Sequence, residues 1–239
     1  MKRLFFIITA LICTMSINAQ MVEIYSGDQL VSKHRIPNNG KVVFKKTPDL
    51  GITGTAKRTG EIEVNWVQLW DGGPRFAEYN VGAANNKAED YGGYYCFGKT
   101  IDKDKNATYY NGNMSLAGDD DTATKLWGGN WRMPTKEEFE ALVNNENCTC
   151  TWTTQKSVTG LLCTGKEGTA FADNSVFLPA SSYCYMGSVG DQGDSGSYWT
   201  STSGDDGKGA CFLDFTSGHQ NVDYEWRYLG FPVRAVLNE

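Results

Sequence analysis

Residues 128–143 constrain the fold more than any other stretch of this chain. They read Gly-Gly-Asn-Trp-Arg-Met-Pro-Thr-Lys-Glu-Glu-Phe-Glu-Ala-Leu-Val and contain its clearest helix start. Thr135 can cap the helix by accepting from the N–H of Glu138, and the Glu138 side chain can reach back to the N–H of Thr135. Pro134 biases Met133 away from helical angles, so the helix begins no earlier. Phe139, Leu142 and Val143 then recur at i, i+3, i+4 and supply one apolar stripe, which predicts a helix over about 136–145. Glu137 and Glu138 occupy the first turn, where the helix dipole favours negative charge, and Glu140 falls on the solvent side. Both flanks of this stretch read as strands and loops. The expected class is therefore α+β, mainly antiparallel β with one clear helix and long loops.

The N-terminus reads as a targeting segment. Lys2-Arg3, the apolar run 4–15 and Ile17-Asn18-Ala19 together look like a signal peptide over residues 1–19. The run is too short to span a bilayer, and bulky Ile12 before Cys13 argues against lipidation. The chain is expected to be exported to the cell surface, the extracellular space or the periplasm, without a membrane span. Loss of Lys2 and Arg3 leaves 20 basic against 28 acidic residues, a balance of −8. That balance argues against nucleic acid or anionic lipid as partner.

Six cysteines remain once Cys13 is gone: Cys96, Cys148, Cys150, Cys163, Cys184 and Cys211. An exported chain permits disulfides, but six cysteines allow fifteen pairings. With no C-x-x-C and only His34 and His219, a zinc site is not expected. Asp102, Asp104 and Asn106 have EF-hand-like spacing, yet Ala107 and Asn113 stand where glycine and a bidentate glutamate are needed. That loop is read as solvated.

Residues 20–46 form a short β segment, with runs at Val22-Glu23-Ile24-Tyr25, Leu30-Val31 and Val42-Val43-Phe44. Residues 47–63 read as a linker and 64–239 as the main domain. If Lys156-Ser157 form a hairpin turn, Thr154 faces Thr159, Trp152 faces Leu161 and Cys150 faces Cys163. A Cys150–Cys163 bridge and two free buried thiols both fit that register. Further on, Cys211, Leu213 and Phe215 share one face of a strand, with Phe212 and Asp214 on the other.

Five motifs carry a likeness to a known family. They are Tyr79-Asn80-Val81-Gly82-Ala83 with Glu89-Asp90-Tyr91-Gly92-Gly93-Tyr94, then Trp131-Arg132-Met133-Pro134-Thr135, Phe177-Leu178-Pro179-Ala180, Tyr198-Trp199-Thr200-Ser201-Thr202, and 230–236. In this order they resemble the Fibrobacter succinogenes major paralogous domain, related to the formylglycine-generating-enzyme version of the C-type-lectin-like fold. The resemblance covers roughly 64–237. It implies a compact domain with its termini in one sheet, exported, often appended to adhesive surface proteins, with a C-terminal segment that binds ligands in some relatives.

That likeness and the residue types place the expected ligand surface between Gly187 and Tyr228. Its candidates are Asp191, Asp194, Asp205, Asp206, His219, Gln220, Asn221, Asp223, Tyr224, Trp226, Arg227 and Tyr228. Aromatic faces beside carboxylates and amides suit sugars or a protein surface. The alternative reading is that Trp226 and Tyr228 simply pack on the sheet. Calcium in the Asp191/Asp194 or Asp205/Asp206 loops is a lesser expectation, and no cofactor is otherwise expected.

Catalysis has weaker support. The Arg-Gly-Gly-Ser-Trp context of the oxidase relatives is absent, and Ser195 has only His219 as a plausible base. The chain is therefore read as a non-enzymatic glycan- or protein-binding module. A structural or assembly subunit is the first alternative and a cysteine-dependent oxidase the second. Arg132 and Arg234 look structural, tying carbonyls or carboxylates together. Asp121-Thr122-Ala123 resembles a bacterial O-glycosylation acceptor.

Overall fold

The computed structural model describes residues 52–99, 116–190 and 192–238, together with the backbone of four strands between residues 4 and 35. The chain divides into two units, residues 1–48 and 49–239. In the first, β1 (Leu4–Ile8), β2 (Leu11–Asn18), β3 (Met21–Ser26) and β4 (Gln29–Arg35) pair in sequence order as an antiparallel meander. The expected leader thus contributes two strands to this sheet in the uncleaved chain. The expected run at 42–44 lies outside the described residues, as does the EF-hand-like segment at 102–113.

The second unit is mainly antiparallel β. Strand β5 (Thr53–Arg58) pairs with β6 (Ile62–Val67), and β6 with β7 (Arg75–Ala77). Expectation had made residues 47–63 a linker. The strand sequence Thr-Gly-Thr-Ala-Lys-Arg carries almost no apolar signal, and the hairpin's turn uses positive φ at Gly60 and at non-glycine Glu61. Late in the chain, β17 (Val236–Leu237) enters the same sheet between β7 and β8 (Trp131–Arg132).

Two α-helices are present among the described residues. The first, α1 (Thr122–Trp127), was not foreseen; six residues are too few to show a periodic stripe. Asp121 caps it, accepting from Thr124 N at 2.9 Å and also from Met133 N at 2.9 Å, which fastens α1 to the stretch before the second helix. Thr122 is buried and its hydroxyl donates to Lys99 O at 2.8 Å, so the folded chain does not offer it as a glycosylation acceptor.

Helix α2 (Lys136–Val143) starts as its sequence dictates. Thr135 N donates to Glu138 Oε2 at 2.8 Å, and Glu138 N to Thr135 Oγ1 at 3.3 Å. Glu138 also takes both arms of the Arg132 guanidinium, at 2.6 and 2.7 Å. Phe139 and Leu142 are fully buried.

After α2, β9 (Cys148–Gln155), β10 (Val158–Gly165) and β11 (Ser175–Pro179) form a three-stranded sheet. Its register is the expected one, Thr154 opposite Thr159 and Trp152 opposite Leu161, and Cys150 and Cys163 are joined by a disulfide. Both turn residues, Lys156 and Ser157, sit at positive φ, the backbone that a two-residue hairpin needs.

A short hairpin, β12 (Cys184–Tyr185) and β13 (Ser188–Val189), precedes the C-terminal sheet of β14 (Ser195–Ser203), β15 (Gly209–Thr216) and β16 (Gln220–Trp226). That sheet separates two apolar cores. Tyr198, Leu213 and Phe215 face one, with Phe139, Leu142, Phe76 and Leu161. Trp199 and Phe212 face the other, with Trp127, Trp131, Phe97 and Phe231. Strands β14 and β15 are therefore apolar on both faces, whereas β16, at one side of the sheet, is only half covered.

Candidate functional site

The expected ligand residues lie in and around β16, and the pleat divides them. Tyr224 and Trp226 stand opposite Cys211 and Gly209 on one face, while Asn221 and Asp223 stand opposite Asp214 and Phe212 on the other. Asp205 and Asp206 occupy the β14–β15 turn at the Trp226 end; His219 precedes the strand at the far end. Six residue steps separate those ends, roughly 20 Å. Asp205, His219, Tyr224 and Trp226 do not converge. Asp194 is exposed just before β14, and Asp191 lies outside the described residues.

At the first end, Tyr224 locks a turn. Its ring lies against Gly204 and Gly209, where a Cβ would come within 2.0 Å of it, and its hydroxyl donates to Asp206. Asp206 also accepts from Lys208 N at 2.8 Å and Gly209 N at 3.1 Å. These bonds, the tyrosine hydroxyl foremost, lower its carboxyl to about 2. Arg227 is fully buried, donates from Nε to Gly209 O at 2.8 Å and lies over the Phe97 ring, so it belongs to the core and not to a ligand surface.

At the other end, His219 Nε2 lies 2.7 Å from Asp214 Oδ2, and Nδ1 lies 3.0 Å from Thr216 Oγ1. Both ring nitrogens are thus engaged with residues other than Ser195.

A cleft of about 630 Å³ opens on the Asp214 face of the sheet. Its floor carries Ser195, Ser197, Phe212, Asp214 and Glu225; its walls are Tyr183 and Tyr185 from the β12–β13 hairpin, and Tyr228, Leu229 and Phe231 from the segment after β16. The walls are held together by one reciprocal pair of backbone bonds. Cys184 N donates to Gly230 O and Gly230 N to Cys184 O, each at 2.8 Å. That bridge brings Tyr185 within 5.6 Å of Tyr228; Tyr228 also stacks on Trp226 at 6.2 Å, but Trp226 belongs to the other face of the sheet and does not line the cleft.

Tyr183, Tyr185 and Tyr228 are 43–44% exposed, so the cleft walls present three accessible aromatic rings. None of the lining residues is basic and two are carboxylates. Such a surface offers apolar ring faces and hydrogen-bond acceptors side by side.

Of the expected residues, only Tyr228 lines this cleft. Tyr183, Tyr185, Asp214 and Glu225 were missed. The available signal was the pair of tyrosines flanking Cys184, which alternation places on the side opposite a buried residue.

Other chemistry finds less to work with. Among the described residues no group of three or more His, Cys, Asp or Glu could hold a metal. Cys96, Cys148 and Cys184 are buried and Cys211 is half-buried. Burial pushes the Cys148 thiol up to about 12 and Cys211 upward as well. Among the described residues no helix is long and apolar enough to cross a membrane.

Fold and cleft together define a mainly antiparallel β protein with an aromatic-walled, acid-floored surface cleft. No protein family, curated protein or solved structure matches the chain.

Proposed function

We propose that this chain is an exported, non-enzymatic binding module of C-type-lectin-like fold, and that it takes a glycan in the cleft between Tyr183, Tyr185 and Tyr228. The observation that carries this reading is the exposed ring pair Tyr185–Tyr228 beside Asp214 and Glu225. Sugar rings present apolar C–H faces that stack on tyrosine and hydroxyls that donate to carboxylates, and the cleft offers both. The C-type-lectin-like reading rests on the ordered motifs from Tyr79 to Val236, and it is supported by β17 returning to the sheet of β5–β7. Raised thiols and the absence of a Ser195–His219 bond count against a nucleophilic enzyme.

Probing a glycan array with the intact protein tests this. The reading predicts binding to a defined set of glycans that Tyr185→Ala with Tyr228→Ala abolishes.

An assembly subunit is a second reading, favoured by the β3–β4 hairpin (Met21–Arg35), which belongs to a unit distinct from residues 49–239 and remains after removal of the leader. It predicts that the oligomeric state depends on residues 20–46, as size measurement on full-length and truncated chains would detect.

A further inference from the structure

The tyrosine cleft carries charge of one sign. Asp214 and Glu225 lie on its floor, and no Lys, Arg or His lines it. Asp223 stands between Asn221 and Glu225 on the same face of β16, opposite Phe212, and extends the acidic edge past the lining residues. The nearby cations are engaged elsewhere or with only part of an acid. Arg227 is fully buried over Phe97 and donates to Gly209 O. His219 Nε2 lies 2.7 Å from Oδ2 of Asp214, and Oε1 of Glu225 accepts from Trp226 N at 2.8 Å. A carboxylate has two acceptor oxygens, so each acid keeps capacity for a further donor.

Exposed rings stand around these acids. Tyr185 and Tyr228 lie 5.6 Å apart, tilted by 51°, and Tyr183 completes the walls. An aromatic face attracts a cation through the negative charge at its centre, and a carboxylate does so directly. A wholly neutral sugar gains from the ring faces but leaves that attraction unused. Spacing then decides the size of the ligand. Glu225 faces Ala210, four residues along β15 from Asp214, which sets the two acids roughly 14 Å apart. One ammonium cannot meet both, whereas a short chain of charged rings can.

We infer that the glycan taken by this cleft is an oligosaccharide of amino sugars whose amines are free and protonated, with ammonium groups on Asp214 and Glu225 and ring faces on Tyr185 and Tyr228. This rests on the glycan reading above and narrows it to a class. Acetylation of the amine removes the charge that the acids and rings attract. A glycan of uronic or other acidic sugars meets like charge and no basic side chain in the lining.

Calorimetric titration of the intact protein with three oligomers of one backbone tests the assignment: glucosamine, N-acetylglucosamine and glucose, which differ only in carrying an ammonium, an acetamide or a hydroxyl. At about pH 6 the amine holds its proton and ordinary carboxylates are ionised. The glucosamine oligomer should bind at least about fivefold more tightly than either neutral one, and added salt should narrow that gap. Glu225→Gln and Asp214→Asn should each shrink the preference about twofold or more, since each removes one partly exposed charge pair. Equal binding of all three oligomers, or a preference unmoved in both variants, would overturn the inference while leaving the glycan reading in place. A lysine oligomer offers the same ammonium on a protein chain; tighter binding of it than of the glucosamine oligomer would assign the charge to a protein partner and overturn the amino-sugar class. Binding to none of the three would overturn the inference as well, and the glycan array decides separately whether the broader reading falls with it.

Discussion

The Arg234 guanidinium donates from Nε to Asn80 Oδ1 at 2.8 Å, joining residues 154 positions apart. Neither side chain is exposed at all. The remaining arms donate to the carbonyls of Ala77 at 3.0 Å, Glu78 at 2.8 Å and Phe177 at 2.9 Å. Asn80 continues the network, donating from Nδ2 to Tyr91 O at 2.9 Å and to the buried Tyr198 hydroxyl at 3.0 Å. One arginine thus satisfies four acceptors from two separate segments, residues 77–80 and Phe177. Burial lowers it to about 10, still far enough above neutrality to keep the charge.

Replacing Arg234 with methionine keeps most of the volume and strands four acceptors. The expected loss is about 3–5 kcal/mol in urea denaturation, since each buried orphan costs about 1–3 kcal/mol and the losses do not simply add. A loss below about 1 kcal/mol would show that the network does not hold these segments.

Glu138 serves two ends at once, the Thr135 cap and the Arg132 fork. Glu138→Ala should cost about 1–3 kcal/mol, while exposed Glu137→Ala, one residue away, should stay within about 0.5 kcal/mol. Equal effects in chemical denaturation would contradict the capping role.

The hairpin disulfide closes a short loop between residues 150 and 163. A non-reducing peptide map should recover that linked pair. Cys150→Ala with Cys163→Ala should lower stability by about 2–3 kcal/mol, the value for a loop of this length.

Much of the second unit was legible in the chain, for local reasons. A capping box, a proline stop and an i, i+3, i+4 stripe define α2 within a few residues. Two polar residues between alternating runs set the β9–β10 register, and the facing cysteines followed from it. What stayed hidden depends on context. Strand β5 has no apolar alternation because its Thr-Gly-Thr-Ala backbone is stabilised by pairing with β6. The tyrosine cleft is assembled by the Cys184–Gly230 bridge, a contact over 46 positions that leaves no periodic trace. The residues expected between Gly187 and Tyr228 do not share one face, because the pleat sends Tyr224 and Asp223 to opposite sides of the sheet.

Asp206 provides a pH test of the turn at the end of that sheet. Its folded-state carboxyl, at about 2, lies below the ordinary 3.8, so its contribution is present above the ordinary value and is lost as pH falls through about 2. The carboxyl carbon resonance of Asp206 should titrate near that lower value and move up towards the ordinary one in Tyr224→Phe. An unmoved midpoint would contradict the Tyr224–Asp206 bond.

The central claim is most directly tested by measuring the affinity of the intact protein for the best glycan from an array, beside Tyr228→Ala. If the tyrosine cleft is the binding surface, removing that ring should weaken binding by at least about tenfold, the loss expected of a stacked aromatic anchor, while the melting temperature stays nearly constant. Undiminished affinity in Tyr228→Ala, or an array on which the native protein binds nothing, would contradict the account.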